Sequence, residues 1–170
     1  GINNLGADEY DDAVWDRAVA INLSGVMYCM REEAAVMLNN GGGAIVNTAS
    51  INGLVGNGAQ PGYTATKHGV VGLTRHGALR WAKAGIRVNA VCPASIDTPM
   101  LRWAADLWKG DSTAEKTLEA WGRGHPIGRV GKASEVAELV AFLASDKARF
   151  ITGADMKIEA NADNIKAMGK

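Results

Sequence analysis

Tyr63 and Lys67 stand four positions apart in GYTATKHG, residues 62–69. On a helix that spacing puts both side chains on one face, close enough to interact. A neutral phenol exchanges protons poorly near neutral pH. A cation on the same face favours the phenolate and turns the phenol into a usable acid/base. Ser50 lies 13 residues upstream, and its hydroxyl can hold a substrate oxygen beside the phenol. The chemistry implied is proton exchange at an alcohol or carbonyl oxygen. No side chain accepts hydride, so the redox half of such a reaction needs a cofactor. A surface helix carrying a tyrosine and a lysine has the same local pattern, so the elements that position the pair must decide.

Residues 11–38, DDAVWDRAVAINLSGVMYCMREEAAVML, carry Trp15, Val19, Val26, Met30 and Met37 at helical spacing. A break is expected between Asn22 and Gly25, where Asn, Ser and Gly are poor helix formers. NNGGG at 39–43 stops the helix. AIVNTAS, 44–50, reads as a strand buried on both faces. After a loop rich in Gly, Asn and Pro, residues 62–84 form a second helix bearing Val70, Val71, Leu73, Ala78 and Trp81, with Gly85 as its stop. IRVNAVCP, 86–93, is a second buried strand, closed by Pro93. Residues 99–124 read as one or two short amphipathic helices in an insertion, 134–145 as an apolar-striped helix, and DMKIEA, 155–160, as a third strand. Strands separated by helices imply parallel pairing with right-handed crossovers, hence a layered α/β sheet. In such sheets the site lies outside the carboxyl ends of the strands. Ser50, Tyr63 and the segment Pro93–Thr98 all fall at that end.

The bulk properties agree with one ordinary domain spanning 1–170. Hydrophobic residues make up 47% of the chain, and 18 Lys plus Arg balance 18 Asp plus Glu. The zero formal charge gives no electrostatic case for nucleic acid or an anionic membrane surface. No apolar run approaches the ~18 residues of a membrane span, and the first residues do not read as a secretory signal. Cys29 and Cys92 are expected to be buried, reduced thiols of a cytoplasmic protein.

These segments carry a resemblance. WDRAVAINLSGV, GGGAIVNTAS, the run GYTATKHGVVGLTRHGALRWAKAGIRVNAVCPASIDTPM, HPIGRVGKASEVAELVAFLASD and ITGAD stand in the order and spacing of the short-chain dehydrogenase/reductase family. The chain resembles the C-terminal two-thirds of such an enzyme. The resemblance implies a Rossmann-like three-layer fold, of which this chain would supply the last three of seven strands. It implies NAD or NADP as cofactor and a small-molecule alcohol or carbonyl as substrate. It implies Tyr63 as general acid/base, with Lys67 favouring the phenolate and reaching the nicotinamide ribose. Ser50 would orient the substrate oxygen, and Asn22, in INLSG, would hold a water of the proton relay. Pro93, Ile96 and Thr98 match positions beside the nicotinamide carboxamide. A homo-oligomer formed through the helices at 11–38 and 62–84 is also implied. The four-residue gap from Tyr63 to Lys67 argues against the family's enoyl-reductase branch.

Some features depart from the family. The phosphate-binding loop G-x-x-x-G-x-G does not occur in these residues, and GGG at 41–43 precedes a strand instead of opening a helix. Gly1 matches the last Gly of the family's N-N-A-G turn. The family's Pro-Gly is Pro93-Ala94 here, and its Asp-Gly-Gly region reads Glu159-Ala160-Asn161. The dinucleotide-binding N-terminal half is therefore expected to be absent, leaving strand 44–50 as an open edge and the chain alone a weak dinucleotide binder. A catalytically silent fragment or pseudoenzyme acting as an interaction module would carry the same residues. His68, His76 and His125 have no ligand spacing. Trp103, Trp108 and Trp121 either line a substrate pocket or form the core of a lid, and Met27, Met30 and Met37 are expected in the core.

Overall fold

The computed structural model describes residues 11–56 and 61–158. The readings placed on Gly1 and on Glu159-Ala160-Asn161 lie outside them. Asp11 starts helix α1 (Asp12–Val19), its carboxylate accepting the backbone N–H groups of Ala13 and Val14 at 2.9 and 3.1 Å. A π-helical turn, Ala20–Ser24, then runs into α2 (Gly25–Asn39). Gly41 and Gly42, at φ 82° and 122°, turn the chain out of α2 into strand β1 (Gly43–Thr48). A short 3₁₀ turn, Ile51–Gly53, follows Ser50. Helix α3 begins at Pro61, a residue suited to the first helical position, and runs to Trp81. Gly85, left-handed at φ 78°, leads into β2 (Ile86–Pro93). Then come β3 (Ile96–Asp97), α4 (Pro99–Trp108), α5 (Ala114–Arg123), β4 (Gly131–Lys132), α6 (Ala133–Ala144) and β5 (Asp155–Ile158).

The main sheet among the described residues has the order β1-β2-β5, all parallel, with Gly43 opposite Ile86 and Ala90 opposite Asp155. Strand β2 is central and alternates with period two. Ile86, Val88, Ala90 and Cys92 join core clusters with Met30, Val70, Val71 and Ala78 of the helices on one face. Val91 joins Leu143 and Ala148 on the other. Helices thus cover both faces, as expected for a parallel sheet. Buried apolar side chains of this size each contribute roughly 1.5–3 kcal/mol.

Helix α3 approaches its neighbours closely through glycines. A methyl group at Gly69 would fall 2.7 Å from Leu23 Cδ1 of the π-helical turn, and one at Gly77 would fall 2.9 Å from Met30 Cε of α2. Polar side chains are also built into the core, among them Asn47, Thr74 and Asn89. Asn47 Nδ2 donates to Thr74 Oγ1 at 2.9 Å, tying β1 to α3. Asn89 Nδ2 donates to the Ile151 carbonyl at 2.9 Å while its Oδ1 accepts the Ala154 N–H at 3.1 Å, which docks the chain entering β5.

Several expectations need correction. Strand β1 is not buried on both faces: Ile45 and Asn47 are buried, but Ala44 and Val46 are half-exposed, because α6 covers that side only in part. It also ends at Thr48, so Ser50 belongs to the following turn. Cys92 is buried, but Cys29 is exposed on α2; both are free thiols. Of the three methionines only Met30 is buried. Met37 is half-buried and Met27 is exposed in the groove between α2 and α3. The pairing of β3 with β4, Ile96 opposite Gly131, was not anticipated.

Candidate active site

The carboxyl ends of β1, β2 and β5 lie on one side of the sheet, at Thr48, Pro93 and Ile158. Three segments gather there. The first is the Ser50 turn. Ser50 is buried, with extended backbone at φ −170° and ψ 163°. Its Oγ accepts the Asn52 N–H at 3.1 Å, capping the 3₁₀ turn. That bond uses an oxygen lone pair and leaves the hydroxyl proton to point elsewhere, the arrangement needed to hold a carbonyl or alkoxide oxygen.

The second segment is the start of α3. Tyr63 sits in the first turn, half-buried, where the helix N-terminus favours a developing negative charge. Lys67 lies one turn on. Its Nζ donates to the Thr48 carbonyl at 2.9 Å and stands 5.6 Å from the centroid of the Tyr63 ring. Burial holds the Lys67 ammonium below its ordinary value, against a weaker opposing influence from Cys92. A cation is therefore fixed beside the phenol, anchored on the strand that leads to Ser50. His68, next in sequence, is exposed, with Nδ1 3.0 Å from the Thr64 carbonyl.

The third segment leaves β2. Pro93 closes the strand. Ile96 sits in β3, against Gly131, where a methyl group would meet its Cδ1 at 2.7 Å. Thr98 caps α4, its Oγ1 accepting the Leu101 N–H at 3.3 Å. The insertion is tied at its two ends by paired ions: Arg102 with Asp97 at 2.7 Å, and Arg129 with Glu135 at 2.6 Å. Arg129 and the Lys132 N–H hold the Glu135 carboxyl down at about 2. Trp103 is exposed on α4, whereas Trp108 and Trp121 are half-buried where α4 packs against α5. Asn22 lies in the π-helical turn, which packs against α3; such turns recur at functional sites.

The fold therefore brings Ser50, Tyr63 and Lys67 into one neighbourhood, with Pro93, Ile96 and Thr98 on the adjoining strand end. Asn22 shares the α3 helix as its support. Sequence reading missed Cys92, which lies beneath the site. Burial foremost, and then Asp155, push its thiol up to about 11. Its place in a strand reading IRVNAVCP was the available signal.

A family model described as "Enoyl-(Acyl carrier protein) reductase" matches residues 3–160. The chain is 46% identical over 145 residues to a cyclohexanol dehydrogenase of Acinetobacter sp. (strain SE19), covering 85% of this chain and 53% of that one. It is 41% identical over 157 residues to the short-chain dehydrogenase/reductase aba4 of Botryotinia fuckeliana, covering 91% and 58%. An actinorhodin polyketide ketoreductase solved with NADPH superposes with a TM-score of 0.80 at 38% identity, covering 87% of this chain and 58% of that one. The chain belongs to the short-chain dehydrogenase/reductase family, and it spans little more than half the length of these relatives.

Proposed function

We propose that this chain carries the catalytic and substrate side of an NAD(P)-dependent oxidoreductase that interconverts a secondary alcohol and a ketone. The observation that carries the reading is the Lys67 ammonium, fixed on the Thr48 carbonyl one helical turn behind Tyr63 and facing the Ser50 turn. Ser50 donates its hydroxyl proton to the substrate oxygen. Tyr63 takes the alcohol proton in oxidation, and the phenol returns it in reduction, with the Lys67 ammonium beside the ring. Asn22 holds the water through which that proton reaches solvent.

A nicotinamide, when bound, supplies the hydride chemistry that no side chain can. The residues present fit its ribose and carboxamide. Lys67 has two donors beyond the one spent on Thr48, and Thr98 retains its hydroxyl proton after capping α4. The loop that would cradle a pyrophosphate is not among these 170 residues.

The family model's description names an enoyl reductase. The alcohol/ketone reading rests instead on the four-residue Tyr63–Lys67 gap and on the cyclohexanol dehydrogenase likeness. Helices 11–38 and 62–84 leave Ile21, Tyr28, Val36, Leu38 and Leu79 in solvent, which supports self-association through these helices. A catalytically silent interaction module is the competing reading. A panel of cyclohexanol, cyclohexanone and open-chain secondary alcohols with NAD and NADP, assayed with the protein as its gene encodes it in full, separates the two. Dinucleotide-linked turnover of any alcohol or ketone supports the oxidoreductase, and none across the panel supports the silent module.

A further inference from the structure

One residue grips the turn that carries Ser50 at both ends. At its start, Lys67 Nζ holds the Thr48 carbonyl at 2.9 Å. At its end, Gly53 presses against the Lys67 backbone. A methyl group on Gly53 would lie 2.6 Å from the Lys67 carbonyl oxygen, 2.9 Å from its carbon and 3.3 Å from Val71 Cγ2. Gly53 is buried, and its backbone is not in the left-handed region, so space alone demands glycine here. Between the two grips, Ser50 Oγ accepts the Asn52 N–H at 3.1 Å.

We infer that Gly53 is a positioning residue: by lacking a side chain it seats the 48–53 turn on α3 at Lys67 and so sets the separation between the Ser50 hydroxyl and the Tyr63 phenol. The inference rests on the reading of those two groups as a working pair. Adding a methyl group pushes the turn from α3 until ordinary contact is restored, a displacement on the order of half an ångström or more. Misplacements near 1 Å cost about 100-fold in positioned reactions.

The test is a double-mutant cycle in the full-length enzyme, with Gly53→Ala, Ser50→Ala and the pair. Gly53→Ala is expected to lower kcat by about tenfold or more, with the KM for dinucleotide within about twofold of wild type. In the Ser50→Ala background the same substitution should change kcat by less than about twofold, because the group it misplaces is gone. Crystal structures of wild type and Gly53→Ala should show a longer Ser50 Oγ to Tyr63 Oη separation in the variant. Wild-type kcat in Gly53→Ala, or an equal loss with and without Ser50, overturns the inference. Wild-type kcat in Ser50→Ala instead overturns the reading of the site itself. If Gly53→Ala does not fold, Gly53→Ala/Val71→Ala, which removes the 3.3 Å contact, enters the same cycle. If that also fails to fold, Gly53 serves packing alone and the inference falls.

Discussion

Lys67 reaches from α3 to the Thr48 carbonyl at 2.9 Å, so the cation beside Tyr63 is fixed to the sheet as well as to its own helix. That anchorage has a cost in desolvation. Lys67 is buried enough to hold its proton less tightly in the folded chain than in the unfolded one, where the ordinary value is 10.5. Folding therefore sheds a proton between the lowered value and 10.5, and in that window stability rises with pH. Below it, the protonated side chain carries its full burial cost. The unfolding free energy of wild type relative to Lys67→Met, from urea titrations between about pH 7 and about pH 10, should increase toward the alkaline end. A difference that stays flat or decreases contradicts the burial argument.

Asn89 is fully buried and satisfies two backbone groups of the segment that delivers β5 to the sheet. Replacing it with Ala strands the Ala154 N–H and leaves the Ile151 carbonyl with only the long 3.4 Å bond from Arg87. The expected loss is about 1–3 kcal/mol in urea unfolding, the scale for one buried polar group left unpaired. A loss under about 0.5 kcal/mol would mean that the segment finds other partners.

Sequence pattern went far here, and its failures have physical causes. IRVNAVCP gave the bounds of β2 because a central parallel strand is apolar nearly throughout. Asn22–Gly25 marked the irregularity between α1 and α2, realised as a π-helical turn at Ala20–Ser24. The Tyr63–Lys67 spacing placed both residues on α3, and the family's order of motifs supplied the roles proposed for them. By contrast β3 and β4 are two residues each, too short for any periodicity, and only their pairing defines them. The exposure of Cys29 and Met27 depends on which side of α2 the sheet occupies, and an apolar residue type does not report that. Gly53 looked like one more loop glycine. Its 2.6 Å constraint arises only when the turn meets α3.

The glycine loop G-x-x-x-G-x-G does not occur in these 170 residues, and we propose that this chain alone holds a dinucleotide weakly. Purified 170-residue protein titrated with NADH and NADPH, followed by nicotinamide fluorescence, should show no saturation in the micromolar range. Micromolar binding of either would contradict the expectation and place the phosphate contacts on residues of this chain.

The most direct test replaces a single oxygen atom. Tyr63→Phe keeps the ring against Lys67 and removes only the hydroxyl that is to exchange the proton. In the full-length enzyme, turnover of an accepted alcohol should fall by at least ~100-fold, the usual scale for a positioned acid/base, while the thermal midpoint stays near that of wild type. Turnover within a few-fold of wild type would mean that the proton moves through another group, and the site described around Tyr63 would not be the one that works.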